Sequence, residues 1–283
     1  VQASESIHPA ETVAPAALHA AMTGAFADYL IGSFALPLAQ WSTFLARHAV
    51  DLSCSRVAVQ RGEVIAFALV APRAELGRWR LATMGALPAA RGCGAAPALL
   101  DDFIERAGVA GMRGVELECI AQNERALRLY QSRRFDVDSP LYGYTRAPGE
   151  ATPELAPQNV EPLAAEAAYE WLDAVALRRA DLPLQVTPVS LRALATPPVA
   201  WRHGDALLVF SEISADAVTV QSIVDSSTGL RDAEVLVRQL AARYAMRRIT
   251  VPQLQRPDIG GDAFERAGFE RLPMHQYLMR RPL

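Results

Sequence analysis

Cysteine is scarce in this chain: Cys54, Cys93 and Cys119 are all that 283 residues contain. They are scattered, odd in number and form no C-x-x-C pair, so neither a disulfide framework nor a cysteine-rich zinc site is expected. The five histidines, His8, His19, His48, His203 and His275, lie far apart in sequence, and no metal centre is expected from them either. Excess positive charge is also missing. A formal net charge of −3 argues against nucleic acid or an anionic membrane as a partner. No apolar run approaches the ~18 residues that span a bilayer. The alanine-rich residues 1–25 lack the basic start and continuous apolar stretch of a secretory leader. Cytoplasmic residence is the default expectation.

What is present is the mix of a globular protein, 51% apolar and 21% charged, in a chain long enough for one large domain or two ordinary ones. Residues 147–162 read APGEATPELAPQNVEP. Four prolines and almost no periodicity make this linker chemistry, and they place a boundary between a domain at 1–148 and another at 149–283. In the first half, helical spacing of apolar residues marks 26–31 and 38–49. Short strands at 56–59 and 64–70 flank the turn Arg61-Gly62-Glu63 as a hairpin. A strand at 80–87, a helix at 95–107, a strand at 115–120, a helix at 126–133 and a strand at 141–146 follow.

The second half repeats this order. A hairpin over 199–201 and 206–210 turns at His203-Gly204-Asp205, with a strand at 218–224 and a helix at 233–244 behind it. An offset of 134 residues pairs Phe103 with Val237, Ala107 with Ala241, Val115 with Ile249, Leu117 with Val251 and YQSRRF (130–135) with FERAGF (264–269). A strand, helix, strand, helix series in one register reads as an internal duplication.

Chemistry concentrates at Arg91-Gly92-Cys93-Gly94-Ala95-Ala96, between a strand and a helix. Small residues let the backbone approach a ligand, and the first N–H groups of the helix have no partners within it. Together with the helix dipole they suit a pyrophosphate. The Gly-Lys-Ser/Thr ending of a P-loop is absent, and Pro97 stands where a dinucleotide fingerprint wants its third glycine.

The run Leu87-Pro88-Ala89-Ala90-Arg91-Gly92-Cys93-Gly94-Ala95-Ala96 resembles the coenzyme A loop, R-x-x-G-x-G/A, of the GNAT superfamily of acyl-CoA N-acyltransferases. Leu117-Glu118-Cys119, then Asn123, Ala126, Leu129-Tyr130 and Phe135, resembles that family's L-E-V, N-x-x-A-x-x-L-Y, G-F signature. Arg134 departs from it, standing where the family usually has glycine. The resemblance covers about residues 25–146. It implies an α/β (α+β) fold of two tandem GNAT-like domains, each a mixed, mostly antiparallel sheet flanked by helices. It implies acetyl-CoA as co-substrate and no metal. Backbone N–H groups of Arg91, Gly92, Cys93, Gly94, Ala95 and Ala96 would hold the pyrophosphate. Ala86 and Leu87 would meet the pantetheine arm and thioester, and Asn123 would stand beside that arm. Glu118 and Tyr130 occupy the places of a general base and a general acid.

Two other readings stay open for these residues: Glu118 as a solvated strand residue, Tyr130 as a packed core ring. The acceptor is expected to be a primary amine, on a small molecule or a peptide. Phe34 and Trp41 suggest an apolar lip around it. In the second half, the 134-residue offset sets Pro252 opposite Glu118, Phe264 opposite Tyr130, Pro257 opposite Asn123 and Asp225 opposite Arg91. That half then reads as a degenerate copy. The protein is expected to be a monomer, as an intramolecular pseudo-dimer, or a homodimer. The alternative to an N-acetyltransferase is a non-catalytic acyl-CoA-binding sensor or interaction module.

Overall fold

The computed structural model describes residues 6–30, 32, 35–149, 159–179, 182–227 and 229–283. It falls into two compact units. One gathers the residues up to Cys119 with Asn123–Asp138 and Met279–Leu283; the other holds Ile120–Gln122 and Ser139–Leu278. The last five residues belong with the first half, so no single cut in the sequence separates the units.

The first unit runs β1 (Ser6–Pro9), α1 (Pro15–Ala25), α2 (Trp41–Arg47), β2 (Asp51–Gln60), β3 (Glu63–Arg73), β4 (Arg78–Ala86), α3 (Ala95–Val109), β5 (Gly114–Ile120), α4 (Glu124–Ser132) and the start of β6 (Asp136–Arg146). Its strands lie in the order β1-β2-β3-β4-β5, antiparallel except for the parallel pair β4–β5. Arg61 and Gly62, with φ of 53° and 81°, close the β2–β3 hairpin as a two-residue turn whose twist matches its strands. β3 is buried along most of its length because helices cover both of its faces, α1 on one and α3 on the other. Leu99, Leu100, Phe103, Ile104 and Ala107 of α3 are all buried, the face their spacing predicts.

The first helix is not at 26–31 but at Pro15–Ala25. Pro15 sits in its first turn, where the missing N–H costs nothing, and alanine carries the rest. Alanine is a strong helix former but a weak mark of periodicity, which is why a search for apolar spacing passes it by. β1 was likewise not anticipated.

The second unit runs β7 (Glu161–Leu163), α5 (Ala165–Ala176), α6 (Pro188–Leu191), β8 (Val199–His203), β9 (Ala206–Ser214), β10 (Ala217–Asp225), α7 (Arg231–Arg243), β11 (Arg248–Gln255), α8 (Asp262–Arg266), β12 (Glu270–Arg271) and the start of β13 (Gln276–Pro282), whose remainder belongs to the first unit. Its order is β7-β8-β9-β10-β11-β6, again antiparallel except for one pair, β10–β11. Each unit is thus a mixed, mostly antiparallel sheet flanked by helices.

The offset of 134 holds closely around α4 and α8. Phe135 N donates to Tyr130 O at 3.1 Å, and Phe269 N to Phe264 O at 2.9 Å. The residues before them, Arg134 and Gly268, both have positive φ, 62° and 83°. The ring pairs Tyr130–Phe135 and Phe264–Phe269 meet edge to face. Upstream the offset fails. Eight residues, 87–94, join β4 to α3, but only five, 226–230, join β10 to α7. Asp225 therefore ends its strand, where the first unit has Ala86, and does not stand opposite Arg91.

Candidate active site

β4 and β5 are paired only from Arg78↔Gly114 to Leu81↔Leu117, although β4 continues to Ala86 and β5 to Ile120. Beyond Leu81 and Leu117 the two strands part. On the other edge of β4, Leu87 N donates to Ile65 O at 2.8 Å, and Ala66 faces Ala86. Backbone groups alternate in direction along an antiparallel strand, so those of Met84 and Ala86 point away from β3, into the gap. The same bond corrects one expectation: the N–H of Leu87 belongs to the sheet and is not open to a pantetheine arm.

The turn behind β4 depends on two glycines. Gly92 and Gly94 have φ of 88° and 104°, a region that other side chains rarely adopt, and Gly94 precedes α3 without a side-chain cap. The first bond within that helix end is Ala98 N to Gly94 O, so the N–H groups of Ala95 and Ala96 have no helical partner, and Pro97 has none to satisfy.

A cavity of about 430 Å³ joins these features. Its walls are Met84, Gly85 and Ala86, the turn at Arg91, Gly92, Gly94 and Ala96, the α4 residues Arg125, Ala126, Leu129 and Tyr130 with Asn123, and Ala25, Phe26, Asp28, Tyr29 and Leu30 at and beyond the end of α1. Of the expected loop residues, Ala95, the first residue of α3, is buried and Cys93 is exposed; neither is part of the wall.

Asn123 caps α4, its Oδ1 accepting from Ala126 N at 3.2 Å. It also meets Tyr29. Burial raises the Tyr29 pKa, and the hydrogen bond with Asn123 opposes that rise. Tyr130 packs its ring against Phe135 and lines the cavity. Burial holds its hydroxyl pKa far above the ordinary value, so the phenol stays protonated.

Glu118 is elsewhere. Arg80 Nε and Nη2 donate to its carboxylate at 2.8 and 2.6 Å, with the two side chains 1% and 4% exposed. It does not line the cavity. Its carboxylate is turned to Arg80 and not to the cavity, and the base role expected of Glu118 has no support in the geometry. Glu116, two residues earlier, is gripped by Arg73, Arg78 and Arg280. Burial pushes its carboxyl pKa up, but Arg73, Arg280 and Arg78 together outweigh that and hold it below the usual range. Trp41, expected at the acceptor lip, is a core residue, stacked on Phe44 and buried beside Leu18, Met22 and Phe67. Phe34 lies outside the described residues.

The corresponding places in the second unit are filled from within. Asp225, fully buried, accepts from Ala233 N at 2.9 Å and from Ser227 N at 2.8 Å, so a carboxylate of the chain caps α7. β10 and β11 also part, after Thr219↔Thr250, but Gln255 Oε1 accepts from Ile223 N there at 3.3 Å. Among the described residues, no three His, Cys, Asp or Glu side chains gather as a metal site.

Residues 18–135 match the family model described as the acetyltransferase (GNAT) family. That stretch of the chain thus carries a GNAT acetyltransferase domain. Solved structures repeat the fold over nearly the whole chain. A GCN5-related N-acetyltransferase from Sphaerobacter thermophilus is 15% identical with a TM-score of 0.63, and the match covers 98% of this chain and 95% of that one. Another from Anabaena variabilis is 14% identical with a TM-score of 0.66, over 98% and 72%. Eis1 from Mycobacterium abscessus is 18% identical with a TM-score of 0.57, over 99% and 74%. At such identities the likeness is one of fold. No curated protein matches the chain by sequence.

Sequence reasoning missed Asp28, Tyr29, Arg80 and Arg125. Arg125 lies inside the N-x-x-A signature and could have been found there. The other three carry no signal in sequence, because long-range folding alone brings them to their partners.

Proposed function

We propose that the first unit transfers an acetyl group from acetyl-CoA to a primary amine. The observation that carries this reading is that Tyr130 lines the same cavity as the Gly92–Ala96 turn and the released backbone of Met84 and Ala86. The turn's N–H groups suit the diphosphate, and the gap between β4 and β5 suits the pantetheine arm. The amine nitrogen adds to the thioester carbonyl carbon. A strand N–H at Met84 or Ala86 stabilises the oxyanion. The nitrogen then gives up a second proton to water, the C–S bond breaks and the sulfur leaves as a thiolate with a pKa near ~8.5.

Tyr130 donates a hydrogen bond to that sulfur. Burial opposes full loss of its proton, so water supplies the proton in the end. Asp28 lines the cavity but is paired with Arg91, and Glu118 is paired with Arg80, so the ammonium acceptor loses its proton to solvent before attack. The want of a free carboxylate is also what favours the second reading, an acyl-CoA sensor without turnover.

Release of free coenzyme A thiol across a library of amines separates the two. The chain has no lysine, its 28 basic residues all being arginine, so its own side chains add no amine background. Tyr130→Phe keeps the ring packing and should lower kcat by roughly 10–10³-fold with acetyl-CoA affinity unchanged. Wild-type turnover in that variant would remove Tyr130 from the mechanism. No turnover with any amine, alongside firm acetyl-CoA binding, would favour the sensor.

A further inference from the structure

Two arginines line the cavity, and the structure leaves them unequal freedom. Arg91 is committed: Nη1 and Nη2 each donate to the Asp28 carboxylate at 2.6 Å, and Nη2 also reaches Ala25 O at 3.0 Å. Arg125, in the first turn of α4, has no ion-pair or hydrogen-bond partner among the described residues. The carboxylate beside it in sequence does not quench it, because Glu124 pairs with Arg128 at 3.1 Å. Asp28, Arg91 and Arg125 are the charged side chains of the cavity wall. Asp28 and Arg91 cancel, so Arg125 gives the wall its net positive charge.

This charge has a counterpart if the ligand is the coenzyme proposed above, on which the inference rests. Acetyl-CoA carries phosphate in two places. The diphosphate matches the neutral N–H donors of the Gly92–Ala96 turn. The 3′-phosphate on the ribose is a monoester, close to doubly charged at neutral pH, and calls for a cation. A guanidinium on a long side chain at the cavity rim meets that need with a two-pronged contact. The Asn123 cap fixes the turn of α4 from which it projects. We propose that Arg125 binds the 3′-phosphate and makes the site prefer coenzyme A to its dephospho form.

The test is calorimetric titration of the full chain with acetyl-CoA and with acetyl-3′-dephospho-CoA, at two salt concentrations. The wild type should bind acetyl-CoA about tenfold more tightly than the dephospho form, an advantage that shrinks as salt is added. Arg125→Ala should abolish the difference by weakening acetyl-CoA alone, and Arg125→Lys should restore part of it. An unchanged ratio in Arg125→Ala would overturn the proposal. Equal weakening of both ligands would overturn it too, by placing Arg125 on the diphosphate or the pantetheine. Failure of the wild type to bind either ligand would instead sink the coenzyme reading itself.

Discussion

Arg80 holds Glu118 through Nε and Nη2 at 2.8 and 2.6 Å, deep in the sheet of the first unit. Removing one partner strands the other in a place water does not reach, a loss of roughly 3–5 kcal/mol for a pair this buried. Glu118→Gln should therefore fall mainly in stability, with a lower urea midpoint. The folded fraction, assayed in the cold, should keep kcat within about tenfold of wild type. Replacing both partners, as Arg80→Met with Glu118→Leu, should recover much of the stability. A drop of ~10²–10⁴ in kcat without a change in midpoint would return Glu118 to the role of base.

One acetyl-CoA should bind per chain. Asp225 already caps α7, and Gln255 already takes the Ile223 N–H, so the second unit offers a coenzyme little that is free. We read it as a degenerate copy kept as scaffold. Gly94→Glu places bulk and charge in the turn and should abolish binding, while Asp225→Asn should leave the stoichiometry at one and lower stability by about 1 kcal/mol. Two equivalents bound would sink the scaffold reading.

Arg134 has φ of 62°, a conformation in which a side chain crowds its own backbone; Gly268, in the matching turn, has none to crowd. Arg134→Gly should stabilise the chain by roughly 0.5–1 kcal/mol, raising Tm by about 1–2 °C. A lower Tm would mean that the Arg134 side chain contributes more than its backbone costs.

His48 lies against Phe44 with its Nδ1 unpartnered among the described residues. Burial, with lesser help from Arg80 and Arg47, pushes its pKa down to about 3. Unfolded, it titrates near ~6.5. Below that value the unfolded chain binds a proton that the folded chain refuses. The stability is therefore complete above pH 6.5 and declines as pH falls toward 3, by at most about 1.4 kcal/mol per pH unit. His48→Phe should flatten the urea midpoint between pH 6.5 and 4.5 relative to wild type. Parallel pH dependence in the two proteins would show that His48 is solvated.

Much was legible in the chain itself. The period of 99, 100, 103, 104 and 107 forces α3 to bury one face, and Arg61-Gly62 permits only a tight turn. The glycines at 92 and 94, followed by a helix, make an anion-ready end wherever the helix lies. Asn123 and Tyr130, seven residues and about two turns apart, share one face of α4. These features are local: backbone sterics and helix geometry decide them within a few residues. Tertiary structure decided the rest. Whether Glu118 is a base or half of an ion pair depends on Arg80, 38 residues away, and whether Arg91 greets a phosphate depends on Asp28, 63 residues away. The free energy of a charge is set by whichever opposite charge folding brings within about 3 Å and by how much water remains, and neither is written at the residue's own position.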